Sequence, residues 1–452
     1  MFDKTLFRNQ VKIIENVLAK APFFEKDYRI PGEEFVQRQK KVWKMLQKEG
    51  FDCGIVYSNP FYRGDVPYLT GNTNMMVEPA AAVLGKNGLY FIAGLEEGLL
   101  AEQYCRRSGV VNRRVDIMNI GSDLYSSDVL RPETIIQEAC GGAPHNIALL
   151  TARCIFPVNL YRVLTGMVGE ENVKDLSEKY YEIKYDKSDN ELRLAEESCI
   201  ISDFMLEGML RTLRPGMAET QVAEWGEFIA RELGVESMGF PIPVTSGINN
   251  KTMVGKAGNR IIREGDIVHV GVSPQRDGIS GAQRASVMCV RSPKDVRPDY
   301  KMWMGFLEDA FRYAIIVYEE IAQKDLPGCY HEQAMIRYYD SRREEMERCS
   351  GLKLPRFAEL KGYVTTHNSG YTECQELYGA LNLNFNRKLP KQVLMMMDVG
   401  LCSYVDAWEN EIIPNLDYIV IEKTTGKYNK EIRILNRLPI NLQHLVGEGF
   451  NS

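Results

Sequence analysis

In this 452-residue chain the residues whose types invite chemistry lie mostly in the second half. His367 opens the turn-like run His-Asn-Ser-Gly. An imidazole changes charge near neutral pH and acts as general acid or base, above all beside a carboxylate such as Asp398. A histidine at a tight turn also serves as a hydrogen-bonded structural residue, and the residues alone leave both roles open. Asp398 directly follows Met395, Met396 and Met397, and a carboxylate in apolar surroundings requires a partner. Arg284 is expected either to pair with it or to bind a substrate carboxylate. Cys374 becomes a nucleophile if His367 favours its thiolate, while a buried inert thiol is the plainer reading.

The composition bounds what these groups serve. Hydrophobic residues at 44% and charged residues at 26% describe a globular chain, too long for one compact core. A formal net charge of -6 gives no basic face for nucleic acid. No stretch reaches the roughly 18 to 20 apolar residues that span a bilayer, so no membrane partner is expected. Asp3, Lys4, Arg8 and Lys12 interrupt any signal-peptide core, and the 10 cysteines are scattered without a CxxC pair. Free thiols in a reducing compartment, and hence a cytoplasmic protein, are the expectation.

Positioning these residues falls to two domains. The first half mixes a helical stripe over Glu34–Glu49 with short strands at Cys53–Tyr57 and Ile147–Leu150. Ala80–Leu84 and Leu89–Ala93 flank Asn87-Gly88, a hairpin signal because both residues tolerate positive φ. This pattern predicts an α/β amino-terminal domain, residues 1–180. Long helices are predicted from Glu191 to Leu213 and from Ala218 to Leu233. Strands follow at Asp266–Val272, Ala285–Val290, Val393–Leu401 and Tyr418–Ile421, interrupted by helices over Tyr300–Ala322 and Tyr330–Met346. Residues 181–452 therefore read as an α+β domain.

Several phrases then occur in a telling order. They are Tyr68-Leu-Thr-Gly71, Leu213-Arg-Pro-Gly-Met-Ala-Glu219, Pro243-Val-Thr-Ser-Gly-Ile-Asn249, Gly265-Asp266, Thr366-His-Asn-Ser-Gly370 and Met396-Met-Asp-Val-Gly400. The set resembles the pita-bread family of creatinase, aminopeptidase P, prolidase and methionine aminopeptidase, from about residue 35 onward. The resemblance implies a pita-bread carboxyl-terminal domain and a substrate-pocket loop carrying Ser246 and Asn249. It also implies a homodimer in which Tyr62 and Arg63 of one subunit reach toward the other's pocket.

Members of that family hold two divalent cations on two Asp, one His and two Glu. Here His367 matches the histidine and Asp398 stands for the first Glu, one methylene shorter. The first Asp maps to Gly271, the second to Gly281 or Ala282, and the second Glu to Leu416, with Asp417 one register away. The two accessory histidines map to Val254 and to Cys374 or Gln375. Asp277, Asp406, Glu409 and Glu411 are the acidic residues that could rebuild a site. No cofactor is expected on this reading. It leaves a metal-independent hydrolase of a small C–N substrate, with His367 and Asp398 catalytic and Arg284 an anion anchor. The alternative is a non-catalytic protein binding a small molecule or short peptide. An Xaa-Pro metallopeptidase is the third reading.

Overall fold

The computed structural model describes residues 3–119, 130–251, 255–356, 366–373, 378–401 and 417–451. Val254, Cys374, Gln375, Asp406, Glu409, Glu411 and Leu416 lie outside the described residues. The chain forms two compact units, residues 28–186 and residues 1–27 with 187–452.

The 28–186 unit is an α/β layer structure. Its strands are β1 (Cys53–Ser58), β2 (Ala80–Gly85), β3 (Gly88–Ala93), β4 (Val111–Arg114), β5 (Ile147–Leu149) and β6 (Val173–Asp175). They form a mixed sheet in the order β4-β3-β2-β1-β5-β6. The expected hairpin is present, with Gly85 opposite Gly88 and Gly88 at φ 118. Helix α2 (Gly32–Glu49) buries Phe35, Val42 and Leu46. Helices α3 (Asp65–Thr70), α4 (Leu95–Cys105), α5 (Pro132–Cys140), α6 (Val158–Val168) and α7 (Ser177–Tyr185) complete the unit. Ile55, Val83, Ile135, Leu149 and Leu160 share its core.

The expected division at residue 180 is corrected at both ends. Helix α7 stays in the 28–186 unit because Lys184 Nζ lies 2.6 Å from Asp65 Oδ1 and Tyr180 donates to the Asp65 carbonyl. Helix α1 (Lys4–Leu18 of the helices, ahead of α2 in the chain) belongs instead with the carboxyl-terminal unit. Its Ile14 packs among Met205, Met209 and Ile229, and Phe7 stacks on Trp225 at 5.9 Å. An amphipathic stripe shows that a helix has an apolar partner but not which one.

In the second unit α8 (Asp189–Thr212) starts on a capping box, Ser188 with Glu191, which satisfies its first free backbone N–H groups. Helices α9 (Glu219–Glu232), α10 (Pro298–Lys324) and α11 (Cys329–Ser350) fall where the sequence predicts them. The strands are β7 (Ser237–Met238), β8 (Val244–Ser246), β9 (Ile267–Val272), β10 (Pro274–Arg276), β11 (Ile279–Ser280), β12 (Gln283–Met288), β13 (His367–Asn368), β14 (Gln392–Leu401), β15 (Ile419–Tyr428) and β16 (Glu431–Ile434). The main sheet runs β13-β14-β15-β12-β9-β8, with β16 also paired to β15.

Alternation gives this sheet two different faces. Val244, Val268, Val270, Val272, Ala285 and Val287 turn toward Met205, Met209 and Ile229 of α8 and α9 to form the apolar core. The residues between them place Thr245, His269, Gly271, Arg284 and Ser286 on the opposite face. Among the described residues no helix is long and apolar enough to cross a membrane. The fold is the expected pita-bread type, an α/β unit plus an α+β unit.

Candidate functional site

The sheet register assembles the site. Asp398 pairs with Glu422 across β14 and β15, and Arg284 pairs with Glu422 across β12 and β15. The three side chains therefore occupy one row of one face. All three are buried, Asp398 and Glu422 at 0% exposure. The Arg284 guanidinium donates through Nη2 to Asp398 Oδ2 and through Nε to Glu422 Oε2. Of the two roles open to Arg284 in the sequence, the structure shows ion pairing. It also supplies the partner that Asp398 requires, and adds a second carboxylate.

The arginine stem fits because residue 271 is glycine. A Cβ there would lie 2.7 Å from Arg284 Cγ and 2.9 Å from Pro243 Cγ. Gly281 is closed in another way. A Cβ at that position would lie 2.6 Å from the Cys199 backbone nitrogen, so β11 and β12 meet against the backbone of α8 there. Ala282 presents a buried methyl group.

His367 pairs with Met396 at the sheet edge, two residues from Asp398 and on the same face. Its Nδ1 lies 3.0 Å from the Asn368 carbonyl, which can only accept. In the neutral ring Nδ1 therefore carries the proton and Nε2 keeps its lone pair. Sequence and structure thus bring His367 and Asp398 to one face.

The sequence reading missed Glu422 and His269. The family resemblance places the second Glu at Leu416, outside the described residues, and within them the carboxylate opposite Asp398 is Glu422. Asp417 instead faces Lys251, 3.0 Å away. Glu422 carried a legible signal, a lone acid in the apolar run Ile419-Val-Ile-Glu. His269 lies fully buried in β9, edge-on to Tyr418 at 5.2 Å, and the Tyr418 hydroxyl lies 3.5 Å from Arg284 Nη1. Burial, and then the positive charge of Arg284, push the His269 pKa well below the ordinary value. It stays neutral.

The tautomer of His269 follows from its neighbours. Asn250 Nδ2 donates to the Tyr418 carbonyl, so Asn250 Oδ1 is free to accept from Thr245 Oγ1 at 3.2 Å. With its proton so used, Thr245 Oγ1 accepts from His269 Nδ1 at 3.4 Å. Nε2 is left unprotonated, and among the described residues it has no hydrogen-bond partner.

Ser246 and Asn249 serve the loop itself. Glu219, wholly buried at the start of α9, accepts from Ser246 N at 2.8 Å, Ser246 Oγ at 2.7 Å, Asn249 Nδ2 at 3.1 Å and Gly258 N at 3.1 Å. Arg260 Nη1 donates to Ser246 Oγ and to Asp266 Oδ2, each at 2.6 Å. Two phrases that looked separate in the sequence, the Pro-Gly phrase ending at Glu219 and the Ser-Gly-Ile-Asn phrase, form one joint.

In the other unit, Tyr62, expected from the resemblance to reach toward a partner's pocket, is buried within its own subunit. Its hydroxyl lies 3.0 Å from that of Tyr181, which also donates to Asp65. Arg63 is half-buried, and burial lowers its pKa. The exposed member of that loop is Phe61. Asp277 is buried at the β10–β11 turn with φ 45. Among the described residues no three His, Cys, Asp or Glu side chains gather as a metal-holding group.

Residues 193–319 match metallopeptidase family M24. Among curated proteins, the uncharacterized peptidase YqhT of Bacillus subtilis is 24% identical over 230 residues, 51% of this chain and 58% of that protein. The Xaa-Pro dipeptidase of Pyrococcus horikoshii is 19% identical over 232 residues, with the same shares. The chain thus spans less than two thirds of these relatives. Among solved structures, dipeptidase PepE from Mycobacterium ulcerans superposes with a TM-score of 0.68 at 17% identity, covering 92% of this chain and 99% of that one. X-Pro aminopeptidase from Thermotoga maritima gives 0.66 at 17% identity, covering 89% and 98%. Likeness at this identity establishes the fold.

Proposed function

We propose, for a pita-bread protein that carries a metallopeptidase family M24 segment, a metal-independent hydrolase acting on a C–N bond of a small substrate. One observation carries the reading: the Arg284 guanidinium lies between Asp398 and Glu422, where the family resemblance implies cations. The residues present do not fit a two-cation site. Gly271 and Gly281 supply no carboxylate, and neither position accepts a Cβ without displacing Arg284 or the backbone of α8. The carboxylates that are present already hold a positive charge.

The remaining chemistry is that of a base beside a fixed cation. His367 Nε2, with Nδ1–H held by the Asn368 carbonyl, is the atom to take a proton from water attacking the substrate carbon and to return it to the nitrogen as the C–N bond breaks. Arg284 places a permanent positive charge on the same face, where it favours charge developing on the substrate. Asp398 fixes the direction of that guanidinium and so acts as a positioning residue.

The names of the relatives point to peptide substrates, and a short peptide or small amide is the class to test. Purified protein treated with EDTA should hydrolyse such an amide as fast as untreated protein, and His367→Ala should abolish turnover. Activity restored only by Mn²⁺ or Co²⁺ would replace this reading with the Xaa-Pro metallopeptidase. The engagement of Arg284, Ser246 and the Asn249 amide nitrogen by internal partners favours a second reading, a non-catalytic binder of a small molecule or short peptide. A substrate screen without turnover, together with ligands that raise Tm, would select it. A two-fold homodimer belongs to the same proposal.

A further inference from the structure

We propose that Cys53 and Cys140 form a peroxide-sensitive dithiol, a modification site in the 28–186 unit that closes to an intramolecular disulfide with Cys140 as the first sulfur oxidised. The inference is independent of the hydrolase reading, because it involves neither His367 nor the sheet face of Arg284.

Strand register brings the two sulfurs together. Cys53 opens β1 and pairs with Gly85 of β2, so both residues point to one face of the sheet. A Cβ at Gly85 would lie 2.4 Å from the Ala139 carbonyl oxygen and 3.1 Å from the Cys140 backbone nitrogen. The missing side chain thus lets the last turn of α5 settle on the sheet beside Cys53. There the two thiols are hydrogen-bonded to each other. The backbone around them is fastened by other groups. Asn87 donates through N and Nδ2 to the Ala139 and Glu138 carbonyls, each at 2.8 Å. Asp52 N donates to Asn146 Oδ1 at 2.8 Å, and Asp52 Oδ2 accepts from His145 N at 2.6 Å. Two sulfurs in contact on so fixed a corner need side-chain rotation, not backbone movement, to bond.

The pair is asymmetric. Cys53 is wholly buried while Cys140, at the end of α5, is half-buried, so an oxidant from solution reaches Cys140 first. The hydrogen bond between them pushes the Cys53 thiol up, with burial adding to it, and lowers the Cys140 pKa against the opposing effects of burial and Asp52. Thiolate is the form that reacts. The Cys140 thiolate attacks one oxygen of hydrogen peroxide, the O–O bond breaks, and a sulfenic acid forms as hydroxide leaves. The Cys53 sulfur then attacks the Cys140 sulfur. The S–O bond breaks, and the departing hydroxide takes the Cys53 proton as water. In sum, two thiols and one peroxide become one disulfide and two waters.

The test treats reduced full-length protein with a small molar excess of hydrogen peroxide, blocks the remaining thiols with iodoacetamide and maps every cysteine by mass spectrometry. Wild type should yield a Cys53–Cys140 cross-linked peptide, lighter by two hydrogens than its separate parts, which dithiothreitol releases. Cys140→Ser should give no cross-link and leave Cys53 reduced. Cys53→Ser should stop at the Cys140 sulfenic acid, which dimedone traps. Oxidation of the exposed Cys154 and Cys349 with both Cys53 and Cys140 left reduced would overturn the proposal. So would wild-type protein in which Cys140 is oxidised and Cys53 remains a free thiol. If Cys53→Ser does not fold, the wild-type map and Cys140→Ser, at its half-buried helix end, decide between these outcomes.

Discussion

Asp398 and Glu422 share one arginine in a row closed to water, so removing a single member leaves a buried charge without its counterpart. Breaking such a pair usually costs about 3–5 kcal/mol, whereas replacing the whole set by apolar residues of similar volume is close to neutral. Asp398→Ala should therefore lower stability by about that amount in urea unfolding at pH 7. The triple change Asp398→Leu, Glu422→Leu, Arg284→Met should cost less than the single one. Equal losses would mean that the three side chains do not act as a set. At this scale the sequence was legible where a residue's type made a demand. Asp398 among methionines called for a partner, and Arg284 was a named candidate. His269 made no such demand among valines, since only strand pairing brings Thr245 and Tyr418 to it. The burial of Tyr62 was not legible, because nothing local reveals that α7 brings Tyr181 to its hydroxyl.

Among the elements, the joint between α9 and the loop after β8 depends on one carboxylate. Glu219→Gln replaces an acceptor of four bonds by an amide that accepts through one oxygen only. Each buried donor left without a partner costs about 1–3 kcal/mol. Loss of roughly that size is expected, together with faster proteolysis near residues 247–258. Unchanged stability and cleavage would show that Arg260 holds the loop alone. The helix pair α10–α11 supplies a pH prediction. His331 Nε2 lies 3.2 Å from the Ala314 carbonyl across this pair, and burial pushes its pKa down to about 4. A folded pKa below the unfolded value means that its contribution is complete above about 6.5 and is lost as pH falls to about 4. Urea midpoints should fall over that window, and fall less in His331→Gln. An identical decline in both proteins would assign the effect to other groups. Helices and strands were the most legible level, because periodicity and Pro-Gly punctuation are local. Their partners were not, as α1 shows.

For the whole molecule, the order of six phrases was enough to give the fold, although none of them is specific by itself. The division of the chain was less legible, since the composition shift near residue 180 precedes the change of unit at Asp186 and Lys187. The last expectation at this scale is assembly. The family resemblance implies a two-fold homodimer, and Phe61, 84% exposed, is the residue of its loop available for a partner. Light scattering at micromolar concentration should give twice 51.5 kDa, and Phe61→Ser should weaken the association. A mass of 51.5 kDa for the unaltered chain would refute the dimer.

Gly271 has a consequence for the order in which this sheet face can be altered. Any side chain placed there by a single change would drive its Cβ into the stem of Arg284, 2.7 Å away. The arginine must shorten first, and a protein in which it has done so carries two buried carboxylates without their cation. Positions 271 and 284 therefore constrain each other, and neither is free to change alone.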